Sequence, residues 1–124
     1  IQYEAMINSA PEHIWALDME LKLIAFNEAF RMSFLSVFNI DVRIGDHIYQ
    51  HIKLPDTTLS HWKYQWEKAL SGQSVSFEDQ YDKGEEGISH MEYFIHPIFD
   101  PNGRQTGIGC YGKNITRRKQ REQE

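Results

Sequence analysis

Six histidines, one cysteine and the run Gly107-Ile108-Gly109-Cys110-Tyr111-Gly112 are where this sequence would have to carry chemistry, if it carries any. The run has the G-x-G-x-x-G spacing of a dinucleotide-binding turn, in which small residues let the backbone approach a pyrophosphate at a helix N-terminus. That mechanism needs a helix and a second strand after the glycines, and only Lys113 to Glu124 follow them. The run therefore reads as a strand whose small residues admit a close neighbour. His47 and His51 stand four apart, the spacing of two metal ligands on one helical face. No Glu or Cys is placed to complete the set, so both are expected to be ordinary surface residues. The carboxylates Asp79, Asp82, Glu85 and Glu86 gather near a glycine-rich tip. Acid–base catalysis needs such a pair held in a desolvated cleft; a solvated acidic tip is the expectation here. No nucleophile, base and orienting group occur together, so the chain is not expected to be an enzyme.

Composition narrows the partners. The chain of 124 residues is 40% hydrophobic and 13% aromatic, the make-up of one folded domain. Its net charge is −5, and its basic residues are scattered except for Arg117, Arg118, Lys119 and Arg121, which share their tail with Glu122 and Glu124. Nucleic acid, which needs clustered cations, is not expected as a partner. A single cysteine, Cys110, permits no internal disulfide and fits a cytoplasmic setting. No apolar run approaches a membrane span, so direct membrane contact is not expected. The chain opens on Ile1 and closes on a charged tail, as a piece cut from a longer protein would.

The elements that must position these residues follow from periodicity. Tyr3, Met6, Ile7 and Ala10 fall at helical spacing before Pro11, giving an N-terminal cap helix within 1–12. His13–Asp18 and Leu21–Phe26 read as a strand hairpin, and Asn27 is placed to cap a helix bearing Phe30, Phe34 and Val37. Residues 40–54 are mixed, with one short helix expected over Asp46–His51. Asp56, Thr57 and Thr58 offer capping oxygens to a helix carrying Leu59, Trp62, Trp66, Ala69 and Leu70 on one face, ended at Gly72. Val75 to Tyr81 alternates as a strand, Ile88–Phe99 is a longer one, and Asp100-Pro101-Asn102-Gly103 reverses the chain into a last strand, Gln105–Ile115. Trp15, Leu17, Phe77, Phe94 and Ile108 are expected to face inward. Strand hairpins on either side of helices give an α+β fold with an antiparallel sheet, a core over 13–115 and a helical tail over 116–124.

The segments "IWALDMELKLIAFNEAF", "KALSG" and "PIFDPNGRQTGIGCYGKNITRRKQRE" together resemble the beginning, middle and end of a PAS domain, over most of the chain. Asn114-Ile115-Thr116-Arg117-Arg118-Lys119 is similar to the Asp-Ile-Thr-Glu-Arg-Lys junction that joins such domains to a signalling helix. The resemblance implies a five-stranded antiparallel sheet with helices covering one face. It further implies a sensory or relay role in a bacterial two-component protein such as a histidine kinase, or in a cyclic-dinucleotide enzyme. A homodimer, a covalently attached output domain and a small-molecule ligand are its implied partners, with a ligand-free relay as the alternative. Pocket candidates are Trp15, Phe26, Phe30, Phe34, Trp62, Trp66, Phe77, Phe94, Ile108 and Cys110; the signal linker is Asn114, Ile115, Thr116 and Arg118. Asn114 stands where the family commonly has Asp, which bears on a contact with Arg118. Haem is not expected: His61 sits on the helix from which some members offer an axial ligand, but about 100° from the Trp62 stripe. Flavin is not expected either, since the Asn-Cys-Arg-Phe sequence of light-sensing members is absent and Cys110 reads as a small buried hydrophobe.

Overall fold

A computed structural model describes residues 2–123, with side chains from residue 5 onward. The elements are α1 (Gln2–Ser9), β1 (His13–Asp18), β2 (Leu23–Phe26), α2 (Glu28–Phe38), α3 (Asp56–Leu70), β3 (Val75–Asp82), β4 (Ile88–Phe99), β5 (Gln105–Asn114) and α4 (Thr116–Glu122), with a 3-10 turn at Gly84–Glu86. The strands form one antiparallel sheet in the order β2-β1-β5-β4-β3, and the architecture is α+β as expected. The chain thus begins and ends its sheet at the centre, where His13 faces Gly112 across β1 and β5. Helices α2 and α3 lie on the face that carries Trp15, Leu17, Tyr93, Ile95 and Ile108, all buried.

Asn27 explains how the first helices are fixed. Its backbone is extended, and its Oδ1 accepts the N–H of Phe30, which caps α2, and the N–H of Ile14 on β1, both at 3.0 Å. Its Nδ2 donates to the carbonyls of Ile7 and Glu12 at 3.0 and 2.8 Å. A wholly buried amide thereby satisfies its own hydrogen-bonding capacity and ties α1, β1 and α2 together. The N-terminus of α3 differs from expectation: Pro55 occupies the cap, and Asp56, Thr57 and Thr58 do not supply a capping hydrogen bond. Tyr3, placed by sequence on the face of α1, lies outside the described side chains; Met6 and Ile7 on that helix are exposed.

Three further expectations are corrected. The strand expected from Leu21 begins at Leu23, because Leu21 takes a left-handed conformation, φ 65°, in a turn whose Glu20 and Lys22 N–H groups both bond Asp18 Oδ1. Asp46–His51 is not helical. Its backbone is committed to β2 and the turn before it instead: Leu23 N–H bonds Asp46 O, and Ile48 N–H bonds Leu21 O. Phe94 faces away from the helices, because β4 alternates with Ser89, Met91, Tyr93 and Ile95 inward; Phe94 packs near Tyr111 on the opposite face.

Candidate functional site

The inner face of the sheet and the two helices enclose a cleft of about 450 Å³. Helix α2 contributes Phe30, Ser33, Phe34 and Val37; α3 contributes Thr58, Trp62 and Trp66, spaced four apart on one stripe. The strands contribute Trp15, Met91 and Tyr93. Trp15 stacks on Phe30 at 4.7 Å between ring centres, and Trp62 meets Tyr93 edge-on at 4.7 Å, so the wall is a continuous aromatic surface.

Of the residues expected in a pocket, Trp15, Phe30, Phe34, Trp62 and Trp66 line this cleft. Phe26 stands behind Phe30, and Phe77 behind Trp62 and Tyr93. Ile108 and Cys110 are buried in the packed centre of the sheet rather than at the cleft, and Phe94 is on the other face. Burial alone pushes the Cys110 thiol well above its usual range. Trp66 Nε1 is buried with no acceptor among the described residues, a cost the fold bears at the cleft wall.

The polar end of the cleft was missed in the sequence. His13, Tyr81, Lys83, Ser89 and Asn114 meet where β1 begins and β3 ends. Register explains the convergence: Tyr81 pairs with Ser89, Asn114 with Met91, and His13 with Gly112, which in turn pairs with Tyr93. The phenols of Tyr81 and Tyr93 share a hydrogen bond of 2.8 Å. Burial, more than any neighbour, raises the Tyr81 hydroxyl to about 12 and Tyr93 further, so both stay protonated donors. His13 is held below its usual value by burial first and then by the positive charge of Lys83, which keeps it neutral near pH 7.

The glycine run acquires its physical meaning here. A Cβ on Gly112 would stand 2.7 Å from the Tyr93 ring, so glycine lets that ring lie across β5; a Cβ on Gly107 would stand 2.3 Å from Leu17 O. Both serve close packing. His47 is buried, not a surface residue: its Nδ1 accepts the N–H groups of Tyr49 and Gln50 at 3.2 and 3.1 Å, and its own N–H donates to His51 Nδ1. His61 is exposed, edge-on to Phe77, and does not line the cleft.

The linker residues form a clamp on β4. Ile115 N–H donates to His90 O at 2.8 Å, and Thr116 Oγ1 accepts the His90 N–H at 2.9 Å. Asn114 Oδ1 accepts the Thr116 N–H at 2.9 Å, so the expected contact of Asn114 with Arg118 is not made. Arg118 instead lies among Glu78, Glu92 and Glu122, and Lys119 bonds Glu78 at 2.7 Å. The Asn114 oxygen is turned into this local bond, and the guanidinium lies against carboxylates instead. Among the described residues no helix is long and apolar enough to cross a membrane, and no cluster of metal-binding side chains occurs.

No family model and no curated protein matches the sequence. Solved structures do match. The PAS domain of Bordetella pertussis BvgS is 19% identical, with a TM-score of 0.65 over 98% of this chain and 89% of that one. The Vibrio cholera VqmA–ligand–DNA complex gives 0.71 at 15% identity over 93% of this chain and 51% of that one. A domain of a histidine kinase from Haloarcula marismortui, described as light and redox sensing, gives 0.61 at 14% identity over 93% and 98%. Five antiparallel strands in this order, with helices over one face and an aromatic cleft between, are thus the fold of a PAS domain.

Proposed function

We propose that this chain is a non-catalytic sensory input module whose cleft holds a small, largely apolar molecule and whose tail passes the state of the cleft to an attached output domain. The observation that carries this reading is the cleft itself, whose 450 Å³ falls in the range of sites for small molecules. A ligand-free relay would fill that space with side chains. The structural likeness to VqmA, solved with a ligand, supports the same reading, as does the likeness to a sensing histidine kinase domain.

The output route is Asn114 to Arg118. Ser89 and Met91 line the cleft, and His90 between them holds Ile115 and Thr116 through both its backbone groups. Displacement of the wall therefore moves the start of α4. Exposed Met6 and Ile7 on α1, with Ile24, Ile98 and Phe99 on the sheet, support a homodimer. The setting we assign is cytoplasmic, in a parent kinase or cyclic-dinucleotide enzyme.

Native mass spectrometry of protein purified from cells tests this. We expect an added mass that is released on denaturation, and a dimer. A ligand-free mass, together with unaltered output after the cleft is filled by Met91→Trp in the parent protein, would overturn it in favour of the relay.

A further inference from the structure

The charge on the wall of the cleft departs from the charge of the chain. The sequence holds 18 acidic residues and a net charge of −5, yet no carboxylate lines the cleft among the described residues. The one fully charged group on the wall is Lys83, which forms no ion pair among the described residues. Donors surround it. Asn114 Oδ1 is engaged by Thr116 N–H, which turns Nδ2 toward Ser89 Oγ, at 3.4 Å, and leaves the serine proton free to point elsewhere. Of the two phenol protons of Tyr81 and Tyr93, one serves their mutual bond and the other is open to Asp79 or to a ligand. His13 adds an imidazole N–H. Asp79, on the same face of the edge strand as Tyr81, does not line the cleft; it accepts the N–H of Gln80 and its carboxylate bears on the two phenols from behind.

A neutral ligand would leave the charge of that lysine unanswered, and a cation would be repelled by it. A doubly charged phosphate would call for more than one cation. From this we infer that the cleft takes a small monocarboxylate with an apolar, preferably aromatic, body: the carboxylate beside Lys83, Ser89, Asn114 and Tyr81, the body between Trp15, Phe34 and Trp62. The inference rests on the ligand-binding reading above and specifies its chemistry.

Three probes that share one naphthyl body test it on the chain as it stands: 2-naphthoate, its neutral isostere 2-naphthamide, and the cationic 2-naphthylmethylammonium, followed by isothermal titration. We expect naphthoate to bind about tenfold more tightly than the amide, the gain of a charge-assisted hydrogen bond, and the ammonium to bind least. Lys83 is exposed on a turn, so Lys83→Met should fold, reduce naphthoate to the affinity of the amide, and leave the amide unchanged; Lys83→Arg should retain the preference. An amide that binds as well as the carboxylate, or a Lys83→Met variant that weakens both alike, overturns the carboxylate assignment while the cleft reading stands. If none of the three probes binds, the assignment of an aromatic carboxylate falls, and the cleft reading is decided separately by the native mass and the Met91→Trp output.

Discussion

A buried histidine can act as a small acid-sensitive pin, and His47 has the geometry for it. Only the neutral ring can accept the N–H groups of Tyr49 and Gln50, and burial, ahead of His51 and Lys22, holds its pKa below the ordinary 6.5. A protonated ring is favoured only after unfolding, so its contribution is complete above the unfolded value and is lost as pH falls through 6.5 toward the folded one. His13 acts with the same sign. Glu78, lowered chiefly by its bond with Lys119, loses its contribution only further into acid, as pH falls from 4.5 through its depressed value. The denaturant midpoint should therefore drop between about pH 7.5 and 5.5, and drop less in His47→Asn, whose side-chain oxygen keeps the acceptor without titrating. Equal slopes in the two proteins would show that the ring is not felt. The sequence misplaced this residue because its burial comes from the bonds Leu23 and Ile48 make across a loop, which no local pattern records.

Elements were legible where one face decides them. The Trp62–Trp66 stripe gave α3, and the alternation Val75, Phe77, Tyr81 gave β3. On β4 the same rule selects Met91, Tyr93 and Ile95, but the single bulky Phe94 between them invites a register one residue off. Its outer position becomes clear only beside Tyr111 of β5. The aromatic half of the cleft was readable for the same reason, whereas the polar half is assembled by register among β1, β3, β4 and β5, which the sequence does not state. At this scale the decisive contact is the clamp of α4 on β4. Thr116→Val keeps the shape and removes the acceptor for His90 N–H, at a cost of about 1 kcal/mol. Hydrogen exchange should quicken at His90, and the ligand-dependent output proposed for the parent protein should weaken. Unchanged exchange at that amide would place the coupling elsewhere.

In the whole molecule, a sheet that opens its chain at the centre encloses a cleft between α2, α3 and the end of the sheet, and α4 leaves from beside its polar corner. The outer sheet face retains an apolar groove of about 290 Å³ between Ile14, Ile98 and Tyr111, with Ile7 of α1 at its side, which fits the proposed contact between copies. The central pairing of β1 with β5 has a kinetic consequence. It joins positions about 100 residues apart, so most of the chain must be looped out before His13 can meet Gly112, a closure whose entropy burdens the folding barrier. Every other strand pair is formed by neighbours in sequence. A circular permutant of this chain with its two ends bridged by a flexible linker, and new ends opened between the exposed Pro55 and Asp56, would place β3, β4, β5, β1 and β2 in order along the chain. Every strand would then pair with its nearest neighbour in sequence. Stopped-flow refolding should be several-fold faster with the denaturant midpoint little changed, and an equal rate would mean that closing this long loop is not the step that limits the search for the native sheet.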